Sequence, residues 1–244
     1  MSVLLRAENI SISFGGIKAV QNVSFDIHSG EILGLIGPNG SGKSTCVNII
    51  SGAYRPDSGS ICFQDRLLTD RDGIVERAWM GIGRTFQTPR PFGNLSVYNN
   101  IYTACLQRYS KAQAHEQAEK ILELTGLAEL KDLISAKLPI EKRKWMDMAR
   151  VLAIEPKLIM LDEVLAGLNP SEMESSLALV RKINAEGITI LFIEHVMKAV
   201  VSLCTRVIVL NEGKKLCEGK PREVLSRQDV INAYLGGQAD AGNQ

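Results

Sequence analysis

Gly37-Pro38-Asn39-Gly40-Ser41-Gly42-Lys43-Ser44-Thr45 follows the apolar run Ile32, Leu33, Leu35, Ile36 and precedes the short stretch Cys46 to Ser51, which Gly52 closes. The nine residues fit G-x-x-x-x-G-K-[ST]. Their flanks read as the buried strand and the outgoing helix that such a loop requires, with Gly52 as the helix stop. Glycines at 37, 40 and 42 allow backbone conformations closed to other residues, so that successive N–H groups turn inward. Together with the positive end of the new helix, these groups cradle phosphate oxygens. Lys43 supplies a mobile charge for the outer phosphates, Ser44 a hydroxyl for octahedral Mg²⁺, and Thr45 a hydrogen bond to the inner phosphate. The expected ligand is a nucleoside triphosphate with its Mg²⁺.

Upstream of the loop, Ile10, Ile12, Phe14 and then Val23, Phe25, Ile27 alternate with polar residues on either side of Gly15-Gly16, which is strand periodicity with a turn. Ile61 to Gln64 adds a further strand, giving a small antiparallel layer ahead of the loop. Downstream, the pattern from Asn94 to Ala153 turns helical: Ala114, Ala118, Ile121 and Thr125 share a face, and Gly126 stops the helix. Strand patterns resume at Leu158 to Leu161, Ile188 to Ile193 and Val207 to Leu210. Between the first two lies a helix starting at Asn169-Pro170, capped by Asn169 with Glu172 three residues on, and expected to bury Met173, Leu177, Val180 and Ile183. Strands separated by helices imply an α/β fold: a P-loop NTPase core with a mostly parallel sheet, a small antiparallel β layer and an inserted helical subdomain.

The run Leu158-Ile159-Met160-Leu161 ends in Asp162-Glu163. A buried strand ending in carboxylates places Asp162 at the sheet edge where α/β ligands bind, able to hold Mg²⁺ through water, with Glu163 facing the position of an attacking water.

Composition bounds the partners. The chain has 244 residues, 45% of them hydrophobic and 23% charged, enough for one large domain with a full core. No apolar run reaches the roughly 18 residues of a membrane span, and Arg6 and Glu8 interrupt the N-terminal apolar residues, so neither a transmembrane helix nor a signal peptide is expected. A net charge of +1 without a dense basic block gives no support for a nucleic-acid partner. The five cysteines, at 46, 62, 105, 204 and 217, lack metal-ligand spacing and are expected as reduced thiols. Cys46, beside the loop, reads as a small hydrophobe rather than an oxidant-sensitive thiol.

Five ordered blocks now carry a family resemblance that covers nearly the whole chain: GLIGPNGSGKST (34–45), GIGRTFQ (81–87), LIMLDEVLAGLNP (158–170), LFIEHVMKAV (191–200) and NEGKKLCEGKP (211–221). The chain resembles the ATP-binding subunits of ABC transporters, those of branched-chain amino-acid importers in particular. The resemblance implies that Phe14 stacks on adenine. It implies that Gln87 senses Mg²⁺, the attacking water and the membrane subunit, that Asp162 is the Mg²⁺-side aspartate and that Glu163 is the general base. His195 becomes the switch histidine on the γ-phosphate, and Ala166 to Asn169 the loop that crosses to a partner subunit.

The implied cofactors are ATP and Mg²⁺. The implied partners are a second ATP-binding subunit, two membrane permease subunits and, indirectly, a substrate-binding protein, and the location is cytoplasmic, peripheral on the inner face of the cell membrane. The domain is drawn as residues 1–238, with 1–87 and 154–238 as the core and 88–153 as the helical subdomain. A flexible end follows, foreshadowed by the composition from Gly236 onward. Residues Thr88 to Tyr98, with their prolines, glycine and aromatics, border the groove that receives the membrane subunit in the resembling family. An ordinary irregular loop is the competing reading.

One departure matters. About 20 residues before Asp162 the family carries a signature close to Leu-Ser-Gly-Gly-Gln. Here the aligned residues are Leu138, Pro139, Ile140, Glu141 and Lys142. The serine and both glycines are missing, and Pro139 lacks even an N–H. A carboxylate at Glu141 about 4 Å from a phosphate charge costs on the order of 4 kcal/mol at an effective dielectric near 20, partly offset if Lys142, Arg143 and Lys144 face the ligand. The site completed by this segment is expected to hydrolyse poorly. Two alternatives stand beside the importer ATPase: a regulatory nucleotide-binding subunit with little hydrolysis, and a soluble ABC-type ATPase in nucleic-acid or translation work.

Overall fold

The computed structural model describes residues 2–86 and 88–239, in two compact units, one formed by Ala78–Ile188 and the other by the segments on either side of it. In the first segment, β1 (Val3–Phe14) and β2 (Ile17–His28) form an antiparallel pair, followed by β3 (Ile32–Ile36), α1 (Lys43–Ser51), β4 (Ser58–Phe63) and β5 (Arg66–Leu67), and α2 (Ile74–Met80) begins in this segment and runs into Ala78–Ile188. The antiparallel sheet runs in the order β2-β1-β4-β5.

Both long strands outrun the simple alternation read from the sequence, because each carries a residue with positive φ, Asn9 (50°) and Asn22 (51°), beside a shift of register. The extra residues reset which side chains face inward, so Leu5, Ala7, Ile10 and Ile12 are all buried along one strand. Serine hydroxyls hold the two irregularities: Ser24 Oγ accepts the Asn9 N–H at 2.7 Å and Ser11 Oγ the Asn22 N–H at 2.9 Å. α1 ends as expected at Gly52 (φ 81°), whose N–H bonds back to the last turn. Its final carbonyls are also met by the buried Arg77, which donates to Ile49 O at 2.6 Å and Ile50 O at 2.9 Å.

Within Ala78–Ile188, β6 (Ile82–Arg84) pairs in parallel with β7 (Leu158–Asp162), and the helices are α3 (Val97–Cys105), α4 (Lys111–Thr125), α5 (Ile140–Leu152) and α6 (Pro170–Ala185). The helical pattern therefore resolves into three helices before β7, with 3₁₀ turns at Ala128–Leu130 and Ser135–Lys137. α6 carries the expected capping box: Asn169 Oδ1 accepts the Glu172 N–H at 3.0 Å, and Glu172 Oε2 accepts the Asn169 N–H at 2.9 Å. Its inward face holds Leu177, Val180 and Ile183, but Met173 in the first turn is only half-buried, with Ser176 and Leu179 completing the face in its place.

The final segment supplies β8 (Thr189–Ile193), α7 (Met197–Leu203), β9 (Arg206–Asn211), β10 (Lys214–Gly219), α8 (Pro221–Leu225) and α9 (Gln228–Ala239). β3 pairs in parallel with β8 on one side and β9 on the other, and β10 returns antiparallel to β9. β3 and β8 are buried at every position, the continuous apolar signature of strands covered on both faces. α9 continues through Ala239, beyond the Gly236 at which the composition turns tail-like. Among the described residues, no helix is long and apolar enough to cross a membrane.

Candidate functional site

The phosphate loop leaves β3 and is shaped by its own protein as much as for a ligand. Gly37 has φ 149°, and a Cβ there would lie 2.1 Å from Leu210 O and 2.7 Å from Ser41 Oγ. Gly42, the residue before α1, has φ 102°, and a Cβ would meet Ala19 O at 2.6 Å. The loop is closed by Ser41 N–H donating to Pro38 O at 3.2 Å and Gly213 N–H donating to Ser41 O at 3.1 Å.

Lys43 is buried, and its ammonium donates to Gly37 O at 2.8 Å and Pro38 O at 2.9 Å, so the cation is held across the mouth of the loop by the loop's own carbonyls. Asn39, Gly40 and Ser44 are exposed, with Pro38 and Thr45 half-buried, which leaves the amides and hydroxyls of the helix start open to an anion. Cys46 behind them is fully buried, and burial pushes its thiol up to about 12, the condition of an inert packing residue.

Register places His195 at the same edge. Leu35 of β3 lies opposite Ile193 of β8, so the loop after Ile36 and the exposed His195, two residues past Ile193, leave neighbouring parallel strands at their C-terminal ends. The His195 N–H donates to the buried Glu194 Oε2 at 3.3 Å. Phe14 ends β1 with 43% of its surface exposed and lies edge-to-face with Tyr54 at 5.2 Å. Tyr54, 40% exposed, is a neighbour that periodicity offered no means of finding, since 40 residues separate the two rings in sequence.

The second constellation lies within Ala78–Ile188. β7 is buried throughout and ends on Asp162, which accepts from Arg84 Nη2 at 3.0 Å. Parallel pairing of Arg84 with Met160 brings the start of the 85–87 segment to the end of β7, where Thr85 N–H donates to Met160 O at 3.0 Å. Phe86 N–H donates to Asp147 Oδ2 of α5 at 3.3 Å. Gln87 itself lies outside the described residues. Glu163 follows Asp162 with φ 50°, a left-handed conformation uncommon for a residue with a side chain. Val164, the next residue, is buried and packs as a core residue.

Hard oxygens of the kind Mg²⁺ prefers are the Ser44 hydroxyl, in the unit that carries the phosphate loop, and, separately, the Asp162 carboxylate within Ala78–Ile188. Among the described residues, no group of three or more His, Cys, Asp or Glu side chains forms a self-sufficient cation cage.

The segment aligned with the signature opens α5. Pro139 stands at the N-cap and makes no side-chain cap, Ile140 is 44% exposed, and Glu141 is buried in the first turn. The three cations after it are engaged inside their own unit, which corrects the expectation that they could face a ligand. Lys142 lies 3.3 Å from Glu141 Oε2 and 3.2 Å above the Trp145 ring. Arg143 donates to Leu138 O at 2.8 Å and Ala136 O at 2.6 Å, and Lys144, also buried, donates to Glu163 O at 3.0 Å and Ala166 O at 2.8 Å.

The segment from Thr88 to Tyr98 is anchored by the fully buried Asn100, whose Oδ1 accepts the Phe92 N–H at 2.9 Å and whose Nδ2 donates to Phe92 O at 3.2 Å. Phe92 remains half exposed, with the Arg150 guanidinium 5.0 Å from its ring.

Residues 20–166 match the ABC transporter family, and residues 214–240 match the family described as branched-chain amino acid ATP-binding cassette transporter. The chain is 36% identical over 250 residues to the high-affinity branched-chain amino acid transport ATP-binding protein LivG of Salmonella typhimurium, covering 96% of this chain and 98% of LivG. It is 35% identical over 240 residues to the lipopolysaccharide export system ATP-binding protein LptB of Acidithiobacillus ferridurans, covering 98% and 99% of the two chains. Its fold matches the ADP conformation of MJ1267, an ATP-binding cassette of an ABC transporter, with a TM-score of 0.88 and 33% identity over 97% of this chain and all of that one.

Proposed function

The chain belongs to the ABC transporter family of ATP-binding cassettes, whose members couple ATP hydrolysis to transport, and from that premise we propose that it energises uptake of branched-chain or chemically related amino acids. The observation that carries the importer reading is the C-terminal match at 214–240, which adds to the full-length similarity to LivG. LptB, nearly as similar by identity, is named for an export system, so identity alone does not choose the cargo.

In this reading the cassette spans 1–238, with 88–153 as its helical subdomain, and sits on the cytoplasmic face of the membrane against two permease subunits. Phe14 stacks on adenine, residues 37–45 hold the phosphates, and Ser44 and Asp162, the latter through water, with Gln87, hold Mg²⁺, which neutralises charge on the transferring phosphoryl group. Glu163 polarises the attacking water and His195 contacts the γ-phosphate. The half-exposed Phe92, on its anchored segment, contacts the permease.

Each ATP in such a pair is held by one chain's phosphate loop and the other's signature. This chain offers an open loop, while its signature segment presents Pro139, an exposed Ile140 and a carboxylate. That combination suits an asymmetric pair in which a second subunit supplies the intact signature, and it is the specific observation that favours the alternative of a regulatory subunit with little hydrolysis of its own.

The test is uptake of radiolabelled leucine, an aliphatic amide and urea in cells lacking this chain, alongside affinity purification of the tagged chain. Loss of leucine uptake with permease subunits in the purified complex is the expected result. Unchanged leucine uptake with loss of amide or urea uptake reassigns the cargo, and unchanged uptake of all three with no membrane protein recovered ends the importer reading.

A further inference from the structure

The buried cation of α5 points at the turn that carries Glu163. Lys144 Nζ donates to the carbonyl oxygens of Glu163, at 3.0 Å, and Ala166, at 2.8 Å, from a side chain only 5% exposed. These two carbonyls belong to one tight turn, which Ala166 N–H closes by donating to Glu163 O at 3.2 Å. Glu163 opens that turn at φ 50°. Two carbonyl dipoles converging on one buried point repel each other and hold the turn only if a donor sits between them. A cation serves better than a neutral donor, because charge-assisted hydrogen bonds are shorter and stronger. Lys144 stands three residues after Glu141, one turn down the helix that begins with the signature segment.

We propose that Lys144 is a positioning residue for hydrolysis: it fixes the left-handed turn that aims Glu163 and links the start of α5 directly to this chain's own catalytic turn. The proposal rests on the reading of Glu163 as general base. It adds a route by which a nucleotide of the partner subunit, pressing on residues 138–142, alters the orientation of the carboxylate at this chain's own nucleotide. The sequence departure at the signature then has consequences in both sites, since the helix it begins is hydrogen-bonded to the turn that bears the base.

The experiment uses the full chain and the variants Lys144→Met, Lys144→Arg and Glu163→Gln. Four quantities are read: single-turnover hydrolysis of radiolabelled ATP with protein in excess, ATP dissociation constants, thermal midpoints, and hydrogen exchange across residues 161–170. Loss of orientation at a catalytic group is expected to slow Lys144→Met by about 10- to 100-fold. ATP affinity should stay within about twofold, exchange at Ala166 and Leu168 should quicken, and Lys144→Arg should recover much of the rate.

A Lys144→Met rate within twofold of the parent overturns the proposal. So does a rate loss that tracks a parallel loss of ATP affinity and thermal midpoint, the mark of a purely structural lysine. Glu163→Gln separates the two readings. If Glu163→Gln keeps the parental rate, the general-base reading fails on its own, while faster exchange and a slower rate in Lys144→Met still support the clamp. If Glu163→Gln is inactive and Lys144→Met behaves as the parent, only the clamp fails.

Discussion

Two helix starts in this protein treat the same physical asset in opposite ways. α1 begins behind Gly42 with no acidic residue in its first turn, and its open amides and the Lys43 ammonium lie at the mouth of a loop whose φ angles only glycine accepts comfortably. α5 begins behind Pro139 with Glu141 in its first turn, so its positive end already has a resident anion. A helix N-terminus attracts an anion wherever one can approach, whether that anion is a ligand's phosphate or the protein's own carboxylate. The first helix keeps the place for a ligand, and the second fills it from within. The cations that follow Glu141 are likewise spent on Trp145, on carbonyls and on the Glu163 turn.

The largest effect should come from rewriting the second start in the image of the first. Replacing Pro139, Ile140 and Glu141 by Ser, Gly and Gly removes the resident carboxylate and returns backbone amides and a hydroxyl to an incoming γ-phosphate. Preorganised donors of this kind are each worth about 100- to 1000-fold in rate. Phosphate release by the chain alone should therefore rise by about 100-fold, and an unchanged rate would mean that this segment does not limit turnover and that the contrast between the helix starts has no catalytic meaning.

The next test attacks the first start. Gly37→Ala puts a methyl group 2.1 Å from Leu210 O at a φ of 149°. Strain and overpacking together should cost about 3 kcal/mol, or about 6–12 °C of thermal midpoint, with loss of nucleotide binding. Ile140→Ala, at a position 44% exposed on the other start, should leave the midpoint within about 1 °C. Equal losses from the two substitutions would show that both segments are built to the same tolerance, against the comparison.

Why one start was legible in the sequence and the other was not follows from where the partners lie. The phosphate loop is a local object: glycine spacing, one lysine and flanking strand and helix stand within about 20 consecutive residues, so residue types alone disclose its chemistry. Asp162 at the end of an apolar strand and the capping box at Asn169 were legible for the same reason. The long-range half of the picture was hidden. The second reason for Gly37 is a carbonyl on β9, Phe14 meets Tyr54 from beyond the loop, and Lys144 finds its carbonyls 19 and 22 residues away.

The strands of the antiparallel sheet were read short because Asn9 and Asn22 break the two-residue period without leaving a turn signal. At the other end of the chain, glycines at 236 and 237 look like the end of order, yet α9 continues through Ala239. On α5 the misleading signal was charge itself. Glu141, Lys144 and Asp147 recur every third residue along one stripe, and all three are buried despite their charge.

That stripe yields the smallest and most diagnostic expectation. Asp147 accepts the Phe86 N–H and lies 3.7 Å from Arg150, yet burial dominates both and raises its carboxyl above the ordinary carboxylate value. A carboxyl raised on folding binds its proton more tightly in the native chain. Its favourable contribution is therefore present below the unfolded pKa near 3.8 and is lost as pH rises through the folded value, leaving the ionised group a net cost at neutrality.

Asp147→Asn keeps an oxygen acceptor for Phe86 and abolishes the titration. Its thermal midpoint should exceed the parent's by about 1–2 °C at pH 7, an advantage that closes as pH falls toward 4 and the parental carboxyl regains its proton. A variant less stable than the parent at pH 7, with a gap that does not shrink in acid, would show instead that the Phe86 amide and Arg150 more than compensate for burial. The charged stripe of α5 would then be a source of stability, and its inward turn would need no explanation from the signature segment at all.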